Sequence, residues 1–306
     1  MPWPRLLQRH LRGLKVLNQA TGETTELRAD HVVMALGHSS RDTFAMLYQR
    51  GVAMEAKPFS IGFRIEHPQG VIDRARWGRH AGHPLLGAAD YKLVHHAANG
   101  RAVYSFCMCP GGTVVAATSE PNRVVTNGMS QYSRNERNAN AGMVVGIDPR
   151  DYPQDAQAFE THLGQTYGVE ALPAGQFHPL SGSVLQRQLE SNAFVLGGRD
   201  YSAPGQLVGE FIAGKPSTQL GSVEPSYKPG VALGDLHAAL PGYAIEALRE
   251  ALPAFGRKIK GFDMHDAVLT GVETRTSSPL KIGRGDNLQS LNTLGLYPAG
   301  EGASYA

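Results

Sequence analysis

Two short apolar segments that each end in glycine constrain the fold of this chain more than any other feature of its sequence. The segment ADHVVMALGHSS covers residues 29–40, and the segment LGLYPAGEGASYA covers residues 294–306. A short apolar run with β-branched residues and a closing glycine is typical of a strand buried on both faces, as in parallel sheets. In a doubly wound α/β sheet, a cofactor binds at such strand ends, where glycine permits close approach to the backbone. The sequence therefore predicts an α/β fold with a cofactor site at these ends.

The second segment sets an acidic side chain between two glycines, Gly300 and Gly302. Glu301 would there accept hydrogen bonds from a ribityl or ribose hydroxyl, or complete a polar shell near a pyrophosphate. The residues that follow, beginning with Ala303, would open a helix whose N-terminal N–H groups favour negative charge, as on a reduced flavin ring. An ordinary glycine turn explains the same spacing, and both interpretations stay open on spacing alone.

Hydrophobic periodicity and turn signals predict the elements between these segments. Residues 41–51 are predicted as an amphipathic helix with a glycine stop, and residues 59–65 alternate apolar and polar side chains as a strand does. Asn127-Gly128 predicts a tight turn. Further helices are predicted over residues 155–167, 185–196, 203–212 and 241–255.

The two cysteines, Cys107 and Cys109, are too few for a secreted disulfide scaffold. Two thiols one residue apart, followed by the glycine pair Gly111-Gly112, form a candidate redox pair. The alternative is a buried strand end at which both act as small hydrophobic residues. Strand alternation places both on one face, but a disulfide between them would be strained in extended geometry.

Residues 273–278, ETRTSS, combine charges and hydroxyls beside a predicted strand end. Arg275 would bind a carboxylate or phosphate with two parallel hydrogen bonds, and hydroxyls such as that of Thr276 would hold an isoalloxazine edge or a substrate. The alternative is an exposed strand-to-loop transition, in which Glu273 and Arg275 form a surface ion pair.

Several classes of function are excluded or disfavoured. The 29 basic and 27 acidic side chains give a net charge of +2, which does not predict a nucleic-acid partner. No apolar run approaches about 18 residues and the amino terminus lacks a signal-peptide pattern, so we expect a cytoplasmic protein without a membrane partner. The sequence holds no H-E-x-x-H, C-x-x-C, G-x-S-x-G or Walker A pattern, so neither a metal site nor hydrolase or NTPase chemistry is predicted.

Six stretches together resemble the FAD-dependent dehydrogenase family, bacterial FAD-dependent oxidoreductases of the two-dinucleotide-binding-domain flavoprotein type. The resemblance implies bound FAD, with NAD(P)H as a candidate electron donor and a small molecule as substrate. Gly37 would match the glycine of the family's strand-end motif, and residues 300–302 would match its flavin-contacting motif. The resemblance also favours the interpretation in which Glu273, Arg275 and Thr276 bind the cofactor. The stretches follow one another along nearly the whole chain and cover residues 29–44, 57–69, 104–120, 124–130, 269–279 and 295–306.

The resemblance also implies the domain organisation, which suits the prior of about two domains for 306 residues. Residues 1–56 and 265–306 would form an incomplete, interrupted FAD/NAD(P)-binding Rossmann-like domain. Residues 57–264 would form an inserted, mixed α/β substrate domain. In the family, hydride would pass between a substrate or nicotinamide and the flavin; the catalytic base is not identified by the sequence.

This sequence departs from the family in its glycine motifs. It contains no G-x-G-x-x-G, the loop whose backbone holds a pyrophosphate, because Gly283 and Gly285 are followed by Leu288 where the third glycine belongs. We therefore expect a fragment truncated at both ends that binds FAD weakly or not at all. If the chain is intact in its native context, we expect it to be an enzyme, a FAD-dependent oxidoreductase. The alternative is a non-catalytic truncated chain or a binding module unable to hold FAD.

Overall fold

A computed structural model describes residues 9–305, which form two compact units. The first unit comprises residues 9–59, 148–185 and 277–305, and the second comprises residues 60–147 and 186–276. The predicted domains have other boundaries, and their roles as flavin-binding and substrate domains stay predictions. The parts of the predicted first domain that fall on residues 1–8 and on Ala306 lie outside the described residues.

Sixteen strands are formed by the described residues. They are β1 (Arg9–His10), β2 (Gly13–Leu17), β3 (Thr24–Arg28), β4 (Val32–Met34), β5 (Met54–Ala56), β6 (Phe59–Pro68), β7 (Val94–His96), β8 (Ala102–Ala116), β9 (Thr126–Ser130), β10 (Asn138–Ile147), β11 (Ala203–Leu207), β12 (Val231–Leu233), β13 (Val268–Glu273), β14 (Leu280–Ile282), β15 (Thr293–Leu294) and β16 (Leu296–Pro298).

Six α-helices accompany these strands in the part of the chain that the structure describes. None of these helices is both long enough and apolar enough to cross a membrane. The helices are α1 (Arg41–Gln49), α2 (Gln69–Trp77), α3 (Ala156–Leu163), α4 (Ser181–Leu196), α5 (Val208–Ala213) and α6 (Gly242–Gly256).

The first unit contains short strand pairs around a small apolar core. Strand β4 pairs in parallel with β16, in the register Val32 with Leu296 and Met34 with Pro298. The parallel pairs β1–β15 and β4–β16, the antiparallel pair β5–β14 and the hairpin β2–β3 are its sheets. Helix α1, predicted from its apolar face, buries Phe44 and Leu47 in the core. Residues from α3, β14 and β16 complete this core.

The predicted burial of the first glycine-terminated strand on both faces is wrong. Val33 on β4 is 69% exposed, and β4 pairs with β16 alone in a two-stranded sheet. A strand buried on both faces needs neighbouring layers on both sides, and the described residues supply none that covers Val33. Strand β4 nevertheless runs parallel to its partner β16, as strands of a parallel sheet do.

The second unit is built on an eight-stranded mixed sheet in the order β12-β11-β13-β6-β10-β8-β7, with β9 pairing to β8. Strands β11 and β12 are parallel, whereas β11 runs antiparallel to β13 and β13 to β6. Helix α6 packs against β7, β8 and β10 and buries Ile245, Leu248 and Leu252. The α/β class of the fold is thereby confirmed, and the interrupted Rossmann-like arrangement stays a prediction.

Two elements of the second unit differ from their prediction. Residues 203–212, predicted as one helix, form strand β11 and then the short helix α5, because β11 is held between β12 and β13. The predicted tight turn at Asn127-Gly128 lies inside strand β9. Glycine is required there because a Cβ on Gly128 would overlap the guanidinium of Arg64 and the side-chain oxygen of Asn140.

Candidate functional site

The two glycine-terminated segments meet at the carboxyl ends of β4 and β16. The Ala299 N–H donates to the Met34 carbonyl oxygen at 3.0 Å, which continues the strand pairing beyond β16. Gly37 (φ +72°) and Gly300 (φ +68°) then turn the backbone through the left-handed region, in which L side chains are strained. The Tyr305 N–H closes the second turn by donating to the Gly300 carbonyl oxygen at 2.9 Å.

Two glycines of this site serve different purposes. A Cβ on Gly302 would overlap the Gly37 carbonyl oxygen, so Gly302 is needed for the two backbones to approach each other. A Cβ on Gly37, by contrast, would find no heavy atom of the described chain within 4 Å. The strand ends therefore combine a tightly packed backbone junction with an open face above Gly37.

Polar side chains surround this junction. Nε2 of His38 lies 3.6 Å from Oε2 of Glu301, whose side chain is 48% exposed. Nζ of Lys57 donates to Oγ of Ser277 and to the carbonyl oxygen of Ser278, each at 3.3 Å. Burial lowers the pKa of Lys57, and the nearby charge of Glu301 opposes that shift.

The sequence patterns predict Gly37, residues 300–303 and the hydroxyl-rich stretch 273–278, which contains Ser278, as site residues but do not single out His38 or Lys57. Ser278 fixes the junction because its hydroxyl donates to the carbonyl oxygens of Leu280 and Gly302, at 2.8 and 3.0 Å. His38 follows Gly37 directly, and Lys57 opens a stretch that resembles the flavoprotein family, so both positions carry a signal in the sequence.

Ala303 does not present its side chain to this open face. It is 2% exposed and belongs to the core of the first unit. Residues Glu301–Ala303 form a single 3₁₀ turn, so the helix predicted to open at this point is absent from the described residues. A cofactor role of Ala303 can therefore involve only its backbone.

Three other predicted site residues belong to the second unit, where internal partners engage them. Glu273 is 1% exposed and forms an ion pair with Arg64, from Nη1 to Oε2, at 3.3 Å. Burial raises the pKa of Glu273 to about 7, although the guanidinium of Arg64 opposes this shift. The surface-pair interpretation of Glu273 and Arg275 is wrong for both residues, because both side chains are buried.

Arg275 and Thr276 also have partners within the second unit. Nε and Nη2 of Arg275 donate to the two carboxylate oxygens of Glu190 at 2.9 and 2.8 Å, and Nη1 donates to the Ser119 hydroxyl at 2.8 Å. The Thr276 hydroxyl donates to the Ser60 carbonyl oxygen at 3.0 Å. The cofactor roles predicted for these residues stay predictions, and their present contacts are structural.

Cys107 and Cys109 lie on β8, where Cys107 is exposed and Cys109 is buried. Sγ of Cys109 lies 3.3 Å from the Cys107 carbonyl oxygen and 3.6 Å from Nη2 of Arg64. The alternative in which both cysteines are buried small hydrophobic residues therefore fails for Cys107.

A polar cavity of about 410 Å³ opens in the second unit. Its charged lining comes from Arg137, Lys228, Glu136 and Glu224. The buried carboxylate of Glu66 lies behind it and accepts hydrogen bonds from the N–H and the hydroxyl of Ser226. This volume is within the range of small-molecule sites, roughly 300–1,000 Å³.

Comparisons with known proteins identify a family model and a relative that match this chain. The sequence model of the family described as "FAD-dependent protein, C-terminal domain-like" matches residues 58–276, which contain the whole second unit. An uncharacterized protein of Clostridium beijerinckii is 47% identical over 281 residues. Those residues are 92% of this chain and 49% of that protein, so the chain spans about half the length of the relative.

Proposed function

We propose a function from the family to which this chain belongs, which is described as "FAD-dependent protein, C-terminal domain-like". The proposed role of the chain is to contribute the flavin-contacting strand ends of a FAD-dependent oxidoreductase. The proposed reaction is hydride transfer between a small-molecule substrate or a nicotinamide and the flavin, with NAD(P)H as the proposed electron donor. A cytoplasmic location is part of the proposal.

The junction of β4 and β16 carries this proposal. Ligands of open α/β sheets bind outside the carboxyl ends of parallel strands, and these two parallel strands end side by side. No heavy atom of the described residues lies within 4 Å of a Cβ built on Gly37, so a planar ring or a pyrophosphate could approach this backbone closely. The residues present therefore fit a flavin nucleotide.

The side chains near the junction supply binding and orientation. Glu301, half-exposed, would accept hydrogen bonds from ribityl or ribose hydroxyls, and its contact with His38 would hold its carboxylate in place. The ammonium group of Lys57, already held by Ser277 and Ser278, would offset the negative charge of a phosphate or a reduced ring. When bound, the flavin supplies the hydride-accepting N5 atom.

The polar cavity of the second unit is the proposed substrate site. Lys228 and Arg137 supply positive charge and are matched by two carboxylates, Glu136 and Glu224. Arg137 is paired with Glu224 at 2.7 Å. This mixed lining suits a small substrate that carries polar or ionised groups. The observation that supports this part is the cavity volume together with its mixed charge, and it is independent of the strand-end junction.

An FAD titration of the whole chain tests the proposal. Saturable quenching of flavin fluorescence is expected, with an affinity weaker than that of a flavoprotein that has a G-x-G-x-x-G loop, because this sequence contains none. Alanine at Gly37 should weaken binding, whereas alanine at Gly22, another glycine with positive φ in open space, should not.

Two results would contradict the proposal. Folded chain that shows no saturable quenching favours the alternative of a non-catalytic module unable to hold FAD. Quenching that the Gly37 and Gly22 substitutions change equally would mean that FAD binds elsewhere.

A further inference from the structure

Residues 78–90, which follow α2 and are called the leucine loop below, present two adjacent leucines to solvent. Leu85 is 91% exposed, more than any other leucine, isoleucine or valine among the described residues, and Leu86 is 44% exposed. Single exposed leucines are common on protein surfaces, whereas two adjacent ones form a small apolar patch. The loop belongs to the second unit and lies within the residues that the family model matches.

The leucine loop is fastened to the end of α2. Nε1 of Trp77 donates to the Gly87 carbonyl oxygen at 3.2 Å, and Nε of Arg76 donates to the Asp90 carbonyl oxygen at 3.1 Å. The two ends of the loop are therefore close together. This is the geometry of an Ω-loop, a compact kind of surface loop that frequently carries function.

The tip of the loop leaves no backbone N–H unpaired beside the leucines. The N–H groups of Leu86 and Gly87 donate to the His83 carbonyl oxygen at 3.0 and 3.2 Å, and the Leu85 N–H donates to Nδ1 of the His83 ring at 3.2 Å. Pro84 has no N–H to pair. Because an unpaired N–H is costly in hydrocarbon, this turn suits a tip that enters an apolar phase.

Basic side chains accompany the leucine loop. The exposed charged side chains of residues 74–92 are four basic ones and one acidic one, a formal charge of +3 with histidine neutral, whereas the whole chain carries +2. The positive charge of the chain is therefore concentrated beside the two leucines. The basic residues are Arg74, Arg76, Arg79 and Lys92, and the acidic residue is Asp90.

We propose that the leucine loop docks on an anionic lipid bilayer, with Leu85 and Leu86 inserted at the interface and the neighbouring arginines and Lys92 bound to lipid phosphates. Leucines accompanied by cations match a layer of negative headgroups above hydrocarbon. A nucleic acid would match the cations but would leave the leucines in water. A peripheral contact needs no membrane-spanning run, and the absence of such a run is the basis of the expectation that the chain has no membrane partner.

Co-sedimentation of the whole chain with lipid vesicles tests the proposal without FAD, so its outcome is separate from that of the FAD titration. The chain should bind vesicles made of equal parts of phosphatidylserine and phosphatidylcholine. It should bind vesicles of phosphatidylcholine alone more than about tenfold more weakly, because each basic side chain near an anionic surface is worth about fivefold in partitioning. Absence of binding to the anionic vesicles, or equal binding to both kinds, overturns the proposal.

Substitutions separate insertion of the leucines from attraction between charges. Leu85→Ser should weaken binding to the anionic vesicles by about tenfold, because a leucine side chain no longer leaves water. Leu220→Ser, at a leucine that is 39% exposed elsewhere in the second unit, is the matched control and should leave binding unchanged. Arg79→Gln should weaken binding by about fivefold. Lys15→Gln, at an exposed lysine of the first unit, should not.

A fluorescent side chain at the tip reports insertion directly. The emission that Leu85→Trp adds to that of the wild type should shift to shorter wavelength on anionic vesicles and should be quenched by lipids brominated in their acyl chains. Circular dichroism first confirms that each variant is folded. If a folded Leu85→Ser chain binds as tightly as the wild type, the leucines do not insert and the proposal is overturned. It is also overturned if sedimentation velocity shows a dimer that Leu85→Ser dissociates, since the leucines would then contact a second copy of the chain.

Discussion

Gly302 lies against the backbone of Gly37 so closely that no side chain fits between them. A Cβ on Gly302 would overlap the Gly37 carbonyl oxygen and would lie 3.2 Å from the Gly37 nitrogen. These residues come from opposite ends of the sequence, and their contact fixes how the ends of β4 and β16 stand beside each other. The glycine at position 302 is thus required by packing, whatever binds above it.

Gly302→Ala is expected to destabilise the first unit. The added methyl group has only backbone atoms to displace, and overpacking of this kind costs roughly 1–3 kcal/mol. Urea unfolding measures the loss. Gly285→Ala is the matched control, because among the described residues its Cβ would meet only the flexible side chain of Asn287, at 3.4 Å. Equal stability of the two variants would show that the two backbones do not pack tightly at this junction.

Gly37→Ala should affect FAD binding more than stability. The left-handed conformation at φ +72° costs an alanine about 1–2 kcal/mol, and no atom of residues 9–305 is close enough to clash with its methyl group. If the open face holds the flavin nucleotide, the methyl group should also weaken FAD affinity, by about tenfold or 1.4 kcal/mol. Fluorescence titration and urea unfolding of the same sample separate the two effects.

Gly22→Ala is the control for Gly37→Ala. Gly22 has φ +75° and open space around its Cβ position, so it carries the same conformational strain in the turn between β2 and β3. Its substitution should cost similar stability and leave FAD affinity unchanged. Parallel losses of affinity in both variants would place the flavin elsewhere.

His67 should make the protein less stable in acid. Burial lowers the pKa of His67 to about 4 from its ordinary 6.5, so between these values the unfolded chain binds more protons than the folded chain. Stability is therefore lost as the pH falls through this window, by up to about 3 kcal/mol. Nε2 of His67 lies 2.6 Å from the Phe262 carbonyl oxygen, and its Nδ1 has no partner among the described residues, so a second ring proton would be buried unpaired.

The difference in the free energy of unfolding between wild type and His67→Gln isolates the contribution of His67. Glu273 acts in the opposite direction, because its pKa, raised to about 7, makes the folded chain bind more protons between about 4.5 and 7. That contribution is common to both proteins and cancels in the difference. Urea unfolding at several pH values should show that the free energy of unfolding falls less between pH 6.5 and 4 in the glutamine variant than in the wild type. If the free energies of unfolding of the two proteins fall in parallel, His67 is not responsible.

The strand ends could be predicted from the sequence because their chemistry is local. The glycine that follows each apolar run, Gly37 in the first segment and Gly300 in the second, is recognised from the adjacent residues of the sequence alone. The exposure of Val33 could not be predicted, because burial depends on which layers cover a strand, and that is a property of the whole fold. Likewise, the pairing of β11 between two other strands overrode the helical pattern of residues 203–212.

The polar interior of the second unit could not be predicted either. Alternation along β6 indicates a strand with one polar face, yet Arg64 and Glu66 are fully buried. Their partners, Glu273 and Ser226, lie more than a hundred residues away, and no spacing rule connects such positions. For the same reason the sequence pattern around Arg275 indicates a ligand-binding residue, although its carboxylate partner is Glu190 of the same chain.

Glu190→Gln should distinguish a structural Arg275 from a ligand-binding one. The pair is buried, with side chains 6% and 0% exposed, and removing one partner of a buried pair costs about 3–5 kcal/mol. Glu224→Gln breaks the exposed pair with Arg137, whose side chains are 57% and 72% exposed, and should cost less than about 1 kcal/mol. Urea unfolding compares the two variants. We expect Glu190→Gln to lose much more stability than Glu224→Gln while FAD affinity in the folded fraction stays unchanged, which would assign Arg275 to the core of the second unit. If Glu190→Gln instead loses no more stability than Glu224→Gln and also changes FAD affinity, Arg275 acts in ligand binding.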